Sequence, residues 1–165
     1  MNLSPVDEAK LESLLRDPDG GLREICSNGP AVKAFLLPAL QQSLDFHRRV
    51  GSAPPWQSYL AIESQENQLV GGCGFKGNPN EAGEVEIGYG TVPGLEGRGY
   101  ATRMAEVLVK IAFRSCSVRR VIAHTLPESN ASIRVLRKIG MQQVAEVMDP
   151  DDGKVWRWEI TRPKS

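Results

Sequence analysis

Between Val6 and Val50 apolar residues recur at helical spacing, and from Trp56 onward the period shortens to two. In "SPVDEAKLESLLR", Val6, Leu11, Leu14 and Leu15 form one stripe. Ser4 stands as a cap, Pro5 suits the first helical position, and Asp7 completes an S-x-x-D box. The pattern predicts a helix there, ended by "DPDGG". A second helix is expected from Pro30 to Val50, interrupted or bent near Pro38, with Phe35, Leu36, Leu40, Leu44 and Phe46 on its core face. "GSAPP" ends it.

Three strands should follow, over residues 56–63, 68–75 and 84–92, joined by the turn "SQEN" and the loop "KGNPNEAGE". In the third, Val85, Ile87 and Tyr89 take one face, and Glu84, Glu86 and Gly88 take the other. "YATRMAEVLVKIAFRS" repeats Ala101, Met104, Ala105, Leu108, Ile111 and Ala112 at helical spacing. "RRVIAHT" reads as a strand, and "SNASIRVLRKIGM" as a short helix closed by Gly140. "MQQVAEVM" and "KVWRWEIT" form a hairpin about "DPDDG". With no repeat or linker in between, residues 1–165 read as one domain of mixed α/β class.

At 165 residues such a domain buries about 70% of its extended-chain surface. Lys plus Arg equals Asp plus Glu at 20 each, so no global field recruits nucleic acid or an anionic membrane. The cluster Arg114, Arg119 and Arg120 reads as a solvated helix end and strand start. Cys26, Cys73 and Cys116 show no CxxC spacing, which argues against a disulfide framework or a metal site and for a reducing cytoplasm. Charged residues from Asp7 to Arg16 leave no secretory apolar region, and no apolar run approaches the roughly 20 residues that span a bilayer. A soluble, cytoplasmic protein is expected.

Five glycines fall in the twelve positions from Gly88 to Gly99. Gly97 and Gly99 sit between a strand and the first turn of the strongest helix. Free N–H groups and the positive end of the helix dipole make that an anion site, and glycine lets the backbone approach phosphate oxygens. No Gly-Lys-Ser/Thr is present for a Walker A loop, and a G-x-G-x-x-G pattern fails at Thr102.

The segment "IGYGTVPGLEGRGYAT" resembles the pyrophosphate-binding segment of the GNAT superfamily of N-acetyltransferases, Gln/Arg-x-x-Gly-x-Gly/Ala. Gly97 and Gly99 match its last two positions, and Gly94 replaces the Gln or Arg. "HTLPESNASIRVLRKIGM" resembles the N-x-A-S-x-R-V-L-E-K-x-G segment of the ribosomal-protein N-terminal (alanine/serine) acetyltransferase branch. There the Asn position holds Ser129, with Asn130 next, and the Glu position holds Arg137.

The resemblance implies a single-domain GNAT-like fold: a central, twisted, mostly antiparallel mixed sheet of about six to seven strands, splayed in the middle and flanked by about four helices. It implies acetyl-CoA as cosubstrate, with no metal. Glu96, Gly97, Arg98, Gly99, Tyr100, Ala101 and Thr102 would hold the pyrophosphate. Tyr89, Gly90, Thr91 and Val92 would pair with the pantetheine arm like an added strand. Either Ser129 or Asn130 would hydrogen-bond that arm.

Acetyl transfer to a primary amine sets three tasks. An alkylammonium, with a pKa near 10.4, must lose a proton. Glu86, matching the Glu of the family's E-I-G-Y stretch, is the candidate base, and His124 is its rival. The oxyanion needs donors, for which backbone N–H groups around Gly90 or Thr91 are candidates. The departing CoA thiolate takes a proton or leaves unaided. A tyrosine common in the superfamily is replaced by Leu136, and Ser132 matches the serine that reaches the thiol. The acceptor is a peptide N-terminus or a small-molecule amine, and the protein a monomer or homodimer. Asp149, Asp151 and Asp152 offer charge for a cationic acceptor or form an ordinary polar turn. Trp56, Trp156 and Trp158 read as core. The alternative is a non-catalytic acyl-CoA-binding module.

Overall fold

The computed structural model describes residues 1–26, 30–128 and 130–163. Strand β1 (Asn2–Val6) precedes three helices: α1 (Glu8–Arg16), α2 (Pro18–Ile25) and α3 (Pro30–Val50). Strands β2 (Ser58–Glu63), β3 (Gln68–Phe75) and β4 (Glu84–Thr91) form a meander, followed by α4 (Tyr100–Arg114), β5 (Arg120–Thr125) and α5 (Ala131–Lys138). The hairpin of β6 (Gln142–Asp149) and β7 (Gly153–Thr161) comes last. The strands make one seven-stranded sheet in the order β1-β2-β3-β4-β5-β7-β6, antiparallel throughout except for β4 beside β5.

The first turn departs from the sequence expectation. Asp7, not Ser4, caps α1: its carboxylate accepts the Lys10 N–H at 2.8 Å. Residues 2–6 instead pair with β2, and Pro5 fits because β1 is an edge strand whose outer side needs no N–H. "DPDGG" ends α1, with Asp17 as its C-cap, and also starts a further helix. Asp17 accepts the Gly20 N–H at 3.0 Å, and Pro18 occupies the first position of α2. Among the described residues the helices therefore number five, against the about four expected. Pro38 lies within α3, which runs on without interruption. At α5, Gly140 takes φ +87° while its N–H reaches Arg137 and the Met141 N–H reaches Leu136, the paired bonds of a Schellman cap.

Two apolar cores sandwich the sheet. Under α4 and α5 lie Val85, Ile87, Met104, Leu108, Val121 and Trp158, and the Trp158 indole donates to Thr125 Oγ1 at 3.0 Å. Under α1–α3 lie Val6, Leu11, Leu14, Leu36, Leu60 and Val92. Trp56 and Trp158 are buried and Trp156 packs against the first core, so all three indoles serve packing.

The seam between β4 and β5 positions the site. Parallel pairing covers only Glu84↔Arg120, Val85↔Val121 and Glu86↔Ile122, and then the strands part. At the paired end Glu84 meets Arg157 at 3.0 Å and Arg120 at 3.4 Å, while Glu159 holds Arg157 at 2.7 Å. Burial works to raise the Glu84 carboxyl pKa, but hydrogen bonds from Asn80 and Arg157 and the charges of Arg157 and Arg120 bring it below its ordinary value. The ion pairs clamp one end of the seam. The other end is open.

Candidate active site

Which backbone groups face the opening follows from register. Lys76 N–H donates to the Glu86 carbonyl at 2.8 Å, and Val92 N–H to the Val70 carbonyl at 2.9 Å. Between these bonds β3 and β4 pair without a break, from Phe75↔Ile87 to Gly71↔Thr91. Antiparallel partners alternate between bonded and non-bonded pairs. Gly88, Gly90 and Val92 therefore commit their polar backbone to β3, and Val92 buries its side chain in the core. Tyr89 and Thr91 direct their N–H and C=O across the seam, beyond the last β4–β5 pair. Of the two expected oxyanion donors, Thr91 faces the opening and Gly90 does not.

At the far end of the opening, α4 begins at Gly99, which has φ +81° and no side chain to cap the helix. The first intrahelical bond from this end is donated by Arg103 to the Gly99 carbonyl, so the N–H groups of Tyr100, Ala101 and Thr102 have no partner in the helix. Gly97 (φ +75°) and Gly94 (φ +89°) turn the preceding loop. Glu96 folds back to accept the Gly94 N–H at 2.7 Å, Arg98 is exposed, and the Arg103 guanidinium lies 5.2 Å from the Tyr100 ring centroid. Free amides, a dipole end and an exposed arginine fit a diphosphate.

The walls of the opening are β4 and α5. The Tyr89 hydroxyl donates to the Ser132 carbonyl at 3.4 Å, and burial pushes its pKa up to about 12, so the phenol stays protonated. Asn130 caps α5 by accepting the Ile133 N–H at 3.1 Å, which commits its carboxamide oxygen. Ser129 lies outside the described residues. Leu136 is buried in the core.

Glu86 and His124, expected as rival bases, are partners. His124 Nδ1 lies 2.9 Å from Glu86 Oε1, where β4 and β5 separate. An ionised carboxylate only accepts, so Nδ1 is the donor in this contact. The same Oε1 accepts from Lys76 Nζ at 2.6 Å. Sequence reasoning missed Lys76, which follows only from the register that sets residue 76 opposite residue 86. Asp149 completes the surroundings. The N–H groups of Asp152 and Asp151 hold its carboxyl below the usual value, helped by the charges of Lys76 and His124.

On the Glu86 face of the sheet, a cavity of about 290 Å³ lies between α3 and strands β2–β4. Among the described residues no group of three or more His, Cys, Asp or Glu side chains is placed to hold a metal ion, and no helix is long and apolar enough to cross a membrane.

Residues 3–142 match the family model described as "Acetyltransferase (GNAT) domain". The chain belongs to the GNAT acetyltransferase family. An uncharacterized N-acetyltransferase of Bacillus subtilis (strain 168), YjdG, is 23% identical to this GNAT chain over 142 residues, 85% of this chain and 84% of that one. A spermidine N-acetyltransferase SpeG chimera from Vibrio cholerae and hSSAT superposes with TM-score 0.66 at 12% identity, over 98% of this chain and 96% of that one. A ribosomal-protein alpha-N-acetyltransferase, RimL, in complex with coenzyme A superposes with TM-score 0.64 at 18% identity, over 96% and 92%. The structural likenesses establish a GNAT fold, and the family makes the chain an acyltransferase.

Proposed function

We propose that this protein transfers an acetyl group from acetyl-CoA to a primary amine by direct attack within a ternary complex. One observation carries the reading: the open seam has unpaired α4 amides at one end and the Glu86–His124 pair at the other. Tyr89 and Thr91 line it with backbone groups that β3 leaves unused.

Residues at the α4 N-terminus, Gly97 to Thr102, would hold the pyrophosphate, with Arg98 adding charge. Tyr89 and Thr91 would fix the pantetheine arm as a strand. The bound donor supplies an activated acetyl thioester. The Glu86–His124 pair removes the proton from the incoming ammonium, releasing the nitrogen lone pair for attack on the thioester carbon. A C–N bond forms, the C–S bond breaks, and the electron pair leaves with sulfur. Thr91 N–H, which β3 leaves unused, would meet the carbonyl oxygen as charge develops. Ser132, whose carbonyl the Tyr89 hydroxyl meets, would return a proton to sulfur, with Tyr89 as the other hydroxyl at hand.

Calorimetric titration with acetyl-CoA, followed by thiol release in a panel of amines, tests the reading. Submillimolar binding and amine-dependent release are expected. Absence of binding overturns it.

A further inference from the structure

Resting on the acetyl-transfer reading, we infer that the cavity beneath α3 holds the body of the acceptor, and that the acceptor is a small primary monoamine with an uncharged, mostly apolar body.

Three successive cross-strand pairs share the Glu86 face of the sheet: Gly72 with Gly90, Gly74 with Gly88, and Lys76 with Glu86. Four glycines thus form the floor of a trough that ends at the candidate base. At about 3.3 Å per residue the trough runs about 13 Å from Glu86 to Gly90. All four glycines line the cavity, and Phe35 and Ala39 of α3 roof it.

Packing explains only two of these glycines. A Cβ on Gly74 would come within 2.8 Å of the Gln57 carbonyl oxygen, and one on Gly90 within 3.3 Å of the Phe35 ring. Gly72 and Gly88 are different. Their nearest neighbours would lie 3.9 Å away, and neither has a positive φ. Glycine weakens a strand interior, and here neither backbone nor packing asks for it. What the missing Cβ atoms do is keep the trough open as far as Lys76, the cross-strand partner of Glu86.

The lining chooses the chemistry. Among the described residues no carboxylate borders the cavity, and its one charged side chain is the Lys76 cation. A polyamine or aminoglycoside would bury its further ammonium groups against Phe35, Leu36 and Leu40 with nothing to neutralise them. A peptide fits poorly for another reason. The floor strands β3 and β4 are paired with each other, so an incoming backbone finds no rung to bond. Glu86 lies just beyond the lining, held by Lys76 at that end of the trough, and one nitrogen would sit there.

The test is calorimetry of 2-phenylethylamine and hexylamine, with and without saturating CoA, on wild type, Ala39→Trp and Gly72→Val. Ala39 is exposed on α3 and Gly72 has room, so both substitutions fill the trough without disturbing the core. Monoamine binding is expected in wild type, weakened at least tenfold in both variants, with the CoA Kd within twofold. Acetylation should favour the monoamines over spermidine, an aminoglycoside and a phenylalanine-initiated tetrapeptide in kcat/KM. The inference is overturned if no monoamine binds, if trough-filling leaves binding intact, or if any of those three is preferred. Loss of the acetyl-transfer reading alone would look different: monoamines would bind while no amine is acetylated.

Discussion

Glu86 Oε1 accepts hydrogen bonds from both His124 Nδ1, at 2.9 Å, and Lys76 Nζ, at 2.6 Å, at the residue where β4 and β5 part. Two groups that look like competitors along the chain are hydrogen-bonded neighbours in space. Glu86→Gln and His124→Gln should each lower kcat/KM about 100-fold, with the double variant little worse than either alone. Steady-state kinetics across pH 6 to 9 checks this, with the CoA Kd as the control for folding. Multiplicative losses would mean that the two residues act independently.

Gly97 and Gly99 hold left-handed backbone at φ +75° and +81° with open space around them. Alanine at either position costs about 1–2 kcal/mol in conformation alone. Gly97→Ala and Gly99→Ala should each weaken acetyl-CoA binding about tenfold while far-UV circular dichroism stays unchanged. Calorimetry reads the first and the spectrum the second.

Adjacent glycines in β3 should respond in opposite ways. A Cβ on Gly71 would fall 2.8 Å from Met104 Cε and closer still to the Gly90 carbonyl, whereas Gly72 has room. Gly71→Ala should cost about 2–3 kcal/mol and lower Tm by about 5–10 °C, and Gly72→Ala should cost under about 1 kcal/mol. Thermal melts of the two variants decide it.

His47 is buried in α3 with no hydrogen-bond partner on either ring nitrogen among the described residues. Burial lowers its pKa, and the nearby Glu8 charge opposes only part of that. The unfolded chain therefore binds a proton at about pH 6.5, before the folded one does. Stability from this site is complete above pH 6.5 and falls as pH drops through the folded value. His47→Leu should flatten that segment in urea unfolding between pH 7.5 and 5. The depressed carboxyls of Glu84 and Asp149 act in a lower window, beneath their ordinary values of 4.5 and 3.8.

Burial pushes the Cys73 thiol up to about 12, Cys26 is also buried, and Cys116 is exposed. Iodoacetamide at pH 8 should label about one thiol per folded chain, at Cys116, as peptide mass mapping will show.

Much of the fold was legible because period-two and helical stripes mark burial directly. Val85, Ile87 and Tyr89 do share one face, and the α4 stripe does enter the core. The first twenty residues misled for a local reason. Ser4 and Asp7 are both good caps, and sheet pairing with β2, invisible in local sequence, selects Asp7. At the site, Gly97 and Gly99 could be named because they open a predicted helix, His124 because it lies near the end of a predicted strand, and Glu86 because it matches the family's E-I-G-Y stretch. Lys76 and the Tyr89–Ser132 contact could not, since each depends on the register or packing of distant segments. The glycine trough hid in plain view: its four members lay in two separate predicted strands until the β3–β4 register aligned them.

The three-pair seam between β4 and β5 has a mechanical consequence. The two halves of the sheet join at the Glu84–Arg157 end, and among the described residues nothing bonds the amides of Tyr89 and Thr91 across the gap. A donor laid along β4 would supply the missing rungs, so each catalytic cycle would fasten the halves on loading and release them as CoA departs. Amide exchange at residues 89 and 91 would then report donor occupancy directly, fast in the free protein and slowed in the loaded one.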